Sequence, residues 1–293
     1  MKTVLVTGGS GFIGGALVKR FRDDGAVRVW APSRTDLDLS KAIAAEIFPE
    51  SIDVLVHCAA SRDRYREGAH RWAEEASINL ESTVRFYEWA RRRRIPAIVH
   101  VSTISVLQPN VDPVVLLDED TPLVAAPNEP YALTKRWSEE LAISLRGGFE
   151  AIAIVRPGMT YGPKQHARGP CARMADAIHR RQKQVIAAPR GHRLAPVFID
   201  DVVDVLARLV KEPKNLTVNV AGPNPLYEEE IFRDLGVCFG VPVEIAIDEG
   251  TKGVSFAPST AIVDSLFAGR TRTSWREGLA KTWRTSGQTS TKA

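Results

Sequence analysis

The first fourteen residues, Met1-Lys-Thr-Val-Leu-Val-Thr-Gly-Gly-Ser-Gly-Phe-Ile-Gly14, limit what this chain can fold into more than any other stretch. A β-branched run from Thr3 to Thr7 drops into glycines at 8, 9, 11 and 14 and then into the helical pattern Ala16-Leu17-Val18. A strand, a glycine turn and a helix in that order form a phosphate cradle. Glycines let the backbone turn tightly and approach a pyrophosphate, whose charge then sits at the helix N-terminus. In isolation Gly9-x-Gly11-x-x-Gly14 is a pattern that recurs by chance, and an ordinary strand-turn-helix would read the same. Its flanks on both sides favour nucleotide binding.

The pattern then alternates. Residues 27–31 and 53–60 read as strands, a helical segment spans about 76–94, and 97–102 reads as a fourth strand. A helix near 131–145 stops at Gly147-Gly148 and feeds a strand at 151–155. Strands alternating with helices of this length imply an α/β fold, a doubly wound parallel sheet with helices on both faces. Ligands of such sheets bind at the carboxyl ends of the strands. The expected first domain is 1–156, with 197–206 and 218–222 returning to the sheet inside a segment of about 195–222. A smaller C-terminal lobe takes 157–194 and 223–284, with a helix at 171–183 and a strand at 241–247. Residues 285–293 are small and polar and read as a disordered tail.

Composition excludes several classes. With 293 residues, 44% hydrophobic and 25% charged, the chain has ample material for a core. The net charge of +4 suits an acidic small molecule, and no nucleic-acid reading module accompanies it. The basic run at 91–94 reads as the decoration of a helix C-terminus. Cys58, Cys171 and Cys238 lie far apart, without metal-like spacing, which points to a reducing compartment and no metal; Cys58 sits in an apolar run and reads as core. No secretory signal and no apolar stretch of membrane-spanning length is visible, so the expectation is a cytoplasmic enzyme without membrane or nucleic-acid partners.

Four strand-end segments carry the chemistry: His57-Cys-Ala-Ala60, Ser102-Thr103, Tyr131-Ala-Leu-Thr-Lys135 and Arg156-Pro157. Tyr131 and Lys135 are four apart and share a helical face. A lysine ammonium beside a phenol favours the phenolate, which makes a proton donor and acceptor usable near neutral pH. Hydroxyl–carbonyl redox chemistry requires such a group, and Thr103 can supply a hydroxyl to the same oxygen. A Tyr-x-x-x-Lys spacing alone would be an ordinary surface pair; its place after a dinucleotide loop and a Ser-Thr strand end gives it meaning.

On these residues the chain resembles an extended short-chain dehydrogenase/reductase of the nucleotide-sugar epimerase, dehydratase and reductase branch. The matching motifs are Thr7-Gly-Gly-Ser-Gly-Phe-Ile-Gly14, His57-Cys-Ala-Ala60, Asn79 in Ile78-Asn-Leu-Glu-Ser-Thr83, and Ser102-Thr103 with Val106. Asp118-Glu-Asp-Thr-Pro122, Pro130-Tyr-Ala-Leu-Thr-Lys135, Arg156-Pro-Gly-Met-Thr-Tyr-Gly-Pro163 and Phe198-Ile-Asp-Asp-Val202 follow in order. The resemblance implies a Rossmann-type sheet with a smaller substrate lobe. It makes Tyr131 the general acid/base, Lys135 the ligand of the nicotinamide ribose and Thr103 the partner of the reacting oxygen. Cofactor contacts are implied for Gly8, Gly11, Phe12, Ile13, Gly14, Cys58, Ala59, Ala60, Asn79, Lys135 and Pro157, with Gly9 a permissive extra.

Departures from the family pattern are informative. Dehydrating relatives place Asp-Glu directly after the threonine; here Ile104-Ser105 stands there, which argues against water elimination. Leu107-Gln108 replaces a common Tyr-Gly pair, Met159 replaces an asparagine, and Arg193 is out of step with the arginine that often precedes Phe-Ile-x-Val-Asp-Asp.

The end of the second strand selects the cofactor. NAD enzymes place a carboxylate there for the ribose 2′-hydroxyl, and NADP enzymes a small residue and an arginine for the 2′-phosphate. Trp30-Ala-Pro-Ser33-Arg34 fits a phosphate, so the expected cofactor is NADP, with NAD possible if Arg34 is only a solvated loop residue. Asp38 and Leu39, which resemble the reductase branch, would border the adenine. The expected activity is NADPH-dependent reduction of a keto group on a nucleotide sugar. The alternatives are a nucleotide-sugar epimerase retaining NAD and a non-catalytic NADP-binding redox sensor. Substrate-phosphate candidates are Arg62, Arg168, Arg173 and Arg193, and the relatives' pairing of the helices near 76–94 and 131–145 makes a homodimer possible.

Overall fold

A computed structural model describes residues 1–39, 41, 43, 47–61, 72–112, 114–124, 129–165, 169–269 and 272–283. Strand β1 (Thr3–Thr7) leads through the glycine turn into α1 (Phe12–Asp24), followed by β2 (Arg28–Trp30) and β3 (Val54–His57). Helices α2 (Trp72–Ala76) and α3 (Ser82–Arg92) are joined by a π turn (Ser77–Glu81), and β4 (Ala97–Val101), α4 (Pro130–Ser144) and β5 (Ala151–Pro157) come next. The chain continues through β6 (Met159–Tyr161), α5 (Pro170–His179), β7 (Gln184–Ala188), β8 (Arg193–Leu194) and β9 (Pro196–Phe198). It ends with α6 (Ile199–Lys211), β10 (Leu216–Val220), β11 (Leu226–Tyr227), α7 (Glu228–Phe239), β12 (Ile245–Lys252), α8 (Ala261–Leu266) and α9 (Trp275–Thr282).

The central sheet has the order β10-β5-β4-β3-β1-β2. The pairs β1–β2, β1–β3, β3–β4 and β4–β5 are parallel, with Thr7 opposite His57 and His57 opposite His100. Both faces of such a sheet are covered, so its strands are continuous apolar runs: every residue of β3, β4 and β5 is buried. From β1 the chain steps out to β2 on one side, then returns to build β3, β4 and β5 on the other. Strand order therefore reverses between β1 and β3, the switch point at which α/β sheets of this Rossmann type hold ligands.

The chain divides into two compact units. The first holds Met1–Gln108, Thr121–Pro157 and Val203–Asn219; the second holds Pro109–Asp120, Gly158–Val202 and Val220–Ala293. In the first, Leu5, Leu55, Ile98 and Ile152 of the sheet meet Phe86, Tyr87, Trp89 and Ala90 of α3 in one buried cluster. In the second, Tyr161 packs its ring against Phe198 and Trp275, with centroids 5.7 and 4.7 Å away, and donates its hydroxyl to the Trp275 carbonyl. Residues 109–120 fall inside the 1–156 span read as one domain from sequence, yet they cluster with the second unit. Their backbone is tied there: Asn110 exchanges hydrogen bonds with Ser255, and Leu117 bonds Ala257 and Ser259.

Three sequence expectations are corrected. Residues 197–206 are not a returning strand: extended backbone ends at Phe198, which pairs β9 with β6, and α6 begins at Ile199. Val202, Val205, Leu206, Leu209 and Val210 are all buried on helical spacing, so period 3.6 wins over β-branched composition. The strand expected at 241–247 begins only at Ile245, after Pro242, and runs to Lys252. The helix expected at 171–183 stops at His179, and Arg181 has a φ of 56°. In the 91–94 run, Arg91 and Arg92 do end α3, while Arg93 lies over the Trp89 ring and donates to the Pro49 and Glu50 carbonyls. The expected tail at 285–293 lies outside the described residues. Among the described residues no helix is long and apolar enough to cross a membrane.

Candidate active site

The glycine loop is held by steric necessity. Gly8 has a φ of 68°, and a Cβ there would lie 2.8 Å from the Ala59 backbone, so the turn rests directly on the exit of β3. A Cβ on Gly14 would lie 2.3 Å from the Gly8 carbonyl oxygen, which lets α1 start tight against the turn. Gly9 is more than a permissive extra: its Cβ would lie 2.8 Å from the Ala31 Cβ, where β2 ends. Gly11, the N-cap of α1, is extended and lacks a side-chain cap, and the first turn, with Phe12, Ile13 and Gly14, carries no acid. The positive end of the helix dipole is thus left to an outside anion, and the cradle fits a dinucleotide pyrophosphate.

Behind the loop lies a buried polar chain. The Thr83 hydroxyl donates to the Asn79 carbonyl at 2.7 Å, so toward His57 it can only accept. His57 therefore carries its proton on Nε2, and its Nδ1 accepts from the Thr7 hydroxyl at 2.9 Å. The Thr7 oxygen in turn accepts the Ala59 N–H. One neutral imidazole at the end of β3 thereby links β1 to the first turn of α3. Burial, with Lys135 nearby, pushes the His57 pKa down to about 3. His100, buried next to it, receives the Tyr87 hydroxyl at 2.6 Å and is likewise held neutral by burial. Burial also pushes the Cys58 thiol up to about 12, which makes it a packing group rather than a nucleophile.

The π turn presents Asn79, whose amide bridges elements: Oδ1 accepts the Ser61 N–H, and Nδ2 donates to the Ser61 carbonyl and the Thr134 hydroxyl. Where a cofactor contact was expected, the side chain joins the β3 exit to α4. That helix starts with Pro130 in its first turn, where the missing N–H costs nothing. Tyr131 follows, half-buried, and Lys135 one turn later is 2% exposed. Lys135 Nζ donates to the Val101 carbonyl at 2.7 Å, at the carboxyl end of β4. Burial pulls its pKa down to about 8, against the attraction of Glu139. Thr103, two residues past β4, caps a short 3₁₀ turn (Ile104–Val106): its Oγ1 accepts the Ser105 N–H and donates to Ser105 Oγ. Thr103, Tyr131 and Lys135 all belong to the first unit, as do the glycine loop, Cys58, Ala59, Ala60, Asn79 and Pro157.

Sequence reasoning passed over Glu139. It is fully buried, accepts the Ser102 hydroxyl at 2.6 Å and Arg156 Nε at 2.9 Å, and is also paired with Arg156 Nη2. The available signal was its spacing, since 131, 135 and 139 recur every four residues along α4.

The remaining expected residues divide. Ser33 directs both its N–H and its hydroxyl onto one Asp36 oxygen, at 3.0 and 2.7 Å, and those bonds hold the Asp36 pKa below the ordinary value. Arg34 beside them is exposed. Asp38 pairs with Lys41 at 3.3 Å, and Leu39, partly buried, packs against the first unit's core. Arg62 and Arg168 lie outside the described residues. Arg173 is exposed on α5, and Arg193 lies in β8 with its guanidinium on the Val114 carbonyl; both belong to the second unit. Among the described residues no cluster of His, Cys, Asp or Glu could hold a metal ion.

Comparison with known proteins agrees with this geometry. The pattern of the "NAD dependent epimerase/dehydratase family" matches residues 4–221, from β1 to the end of the sheet. The chain belongs to this family. Membership makes it an enzyme of the NAD-dependent epimerase and oxidoreductase class, as the resemblance implied. Among relatives in the family, the dTDP-4-dehydro-6-deoxy-D-allose reductase of Streptomyces bikiniensis is 27% identical over 279 residues, 85% of each chain. The fold matches the UDP-glucose 4-epimerase of Thermus thermophilus in complex with NAD, with a TM-score of 0.80 and 20% identity over 96% of this chain and 97% of that one. It also matches RMD from Pseudomonas aeruginosa complexed with NADPH, with a TM-score of 0.78 and 20% identity over 96% and 97%. Proteins of this fold thus include structures solved with either dinucleotide.

Proposed function

We propose that the protein reduces a keto group on a nucleotide sugar with NADPH. The observation that carries this reading is the constellation of the first unit: half-exposed Tyr131, buried Lys135 one turn away and Thr103 at the β4 exit, behind the glycine cradle. In this reading the first turn of α1 with Gly8, Gly11 and Gly14 holds the pyrophosphate, and Ser33 and Arg34 take the 2′-phosphate. When bound, the nicotinamide would supply the hydride. Lys135 holds its ribose hydroxyls with an ammonium that burial has already stripped of water. Tyr131 gives its hydroxyl proton to the substrate oxygen, and Thr103 Oγ1 turns from Ser105 to orient that oxygen. The 27% identical reductase supports net reduction. The Ile104-Ser105 pair, where dehydrating relatives have acid and base, speaks against elimination.

One observation favours a second reading, an epimerase that retains NAD. Asp36, in the loop six residues past β2, already occupies both Ser33 donors, and a carboxylate there suits a 2′-hydroxyl better than a 2′-phosphate. The two readings separate by assay. Titration with NADPH and NADH, followed by a panel of 4-keto nucleotide sugars and keto-sugars monitored by reduced-nicotinamide absorbance, should show tighter NADPH binding and its consumption. Tighter NADH binding, or NAD retained through purification with interconversion of sugars and no net redox, would replace the reductase by the epimerase.

A further inference from the structure

Tyr131, Lys135 and Glu139 form a column on α4, and burial deepens along it: half-buried, 2% exposed and 0% exposed. A carboxylate out of reach of water is tolerated only when its lone pairs are used and a cation is at hand. Glu139 meets both conditions. Oε2 takes the Ser102 hydroxyl, and Oε1 takes Arg156, which comes from β5. Stability alone is a weak reason for the arrangement, because a buried ion pair can often be replaced by apolar side chains without loss.

The surroundings of Lys135 suggest another reason. From the end of β3 and the residue after it come His57 and Cys58, and from β4 His100; burial keeps the two imidazoles unprotonated and the thiol protonated, so all three are neutral at pH 7. The β4 carbonyl of Val101 takes the ammonium's hydrogen bond. From β5 comes Arg156, a cation whose charge is directed at Glu139. Among these groups Glu139 is the one that brings negative charge to the lysine, and it opposes the pull of burial.

We propose that Glu139 is a positioning residue for the Tyr131–Lys135 pair, supplying the buried negative charge that keeps the Lys135 ammonium available beside Tyr131. The proposal rests on the reading of Lys135 and Tyr131 as working residues.

The test is a direct titration of Lys135 Nζ by NMR on protein carrying isotope-labelled lysine, the resonance being assigned by its loss in Lys135→Met. Glu139→Gln leaves Arg156 buried without its counter-charge and risks misfolding, so Glu139→Gln combined with Arg156→Met is measured beside it. In folded Glu139→Gln against wild type, or in the double variant against Arg156→Met alone, the Lys135 transition should move down by about one pH unit, and the alkaline limb of turnover should move down with it. An unchanged Nζ transition in a folded variant overturns the proposal. So does the failure of both variants to fold, which would make Glu139 a stability element only. The titration needs no substrate, so failure to find a reducible keto-sugar would sink the proposed reaction and leave this result standing.

Discussion

Replacing His57 with glutamine should flatten the acid limb of the protein's stability. His57 is 1% exposed and neutral, holding Thr7 with one ring nitrogen and Thr83 with the other. Its pKa falls from 6.5 to about 3 on folding, through burial first and the Lys135 charge second. The sign follows from linkage: the unfolded chain takes up a proton below 6.5 and the folded chain does not. The contribution is complete above pH 6.5 and is lost as pH falls toward about 3. Between about pH 8 and about pH 5, a site with these two values loses about 2 kcal/mol of stability. Urea unfolding of wild type and His57→Gln at both pH values measures it. A lower stability of the variant at both pH values reports lost packing and is set aside by the comparison. His100 titrates in the same direction in both proteins and largely cancels. The variant should lose about 2 kcal/mol less than wild type between the two pH values. Equal losses would refute the assignment of a neutral, proton-excluding His57.

Two further substitutions test the site. Tyr131→Phe should abolish turnover while leaving dinucleotide affinity nearly unchanged, as read by a fluorescence titration beside the sugar assay; retention of most activity would remove Tyr131 from its role. Gly8→Ala combines a left-handed backbone, worth about 1–2 kcal/mol against alanine, with a Cβ 2.8 Å from the Ala59 backbone. It should weaken dinucleotide binding by about tenfold or more, and an unaltered affinity would separate the glycine turn from the cofactor.

Much of this was legible in the chain because it is local. The Gly8, Gly11 and Gly14 spacing, the buried runs of β3 to β5 and the four-residue step from Tyr131 to Lys135 are short-range patterns set by backbone geometry. Composition misled at 197–206, where β-branched residues suggested strand although the buried positions repeat every three to four residues. Residues 109–120 misled for another reason: their partners are 255–259, far away in sequence.

What sequence by itself determined is the order of elements, the glycine turn between β1 and α1 and the one-turn spacing of Tyr131 and Lys135, since each is written in consecutive or helically spaced residues. Tertiary structure alone decided which buried polar groups meet. Glu139 finds Ser102 and Arg156, Asn79 finds Ser61 and Thr134, and His57 finds Thr7 and Thr83 only when separate strands and helices converge. The physical reason is that burial and Coulomb interaction depend on distance through space, which no local pattern in a sequence encodes.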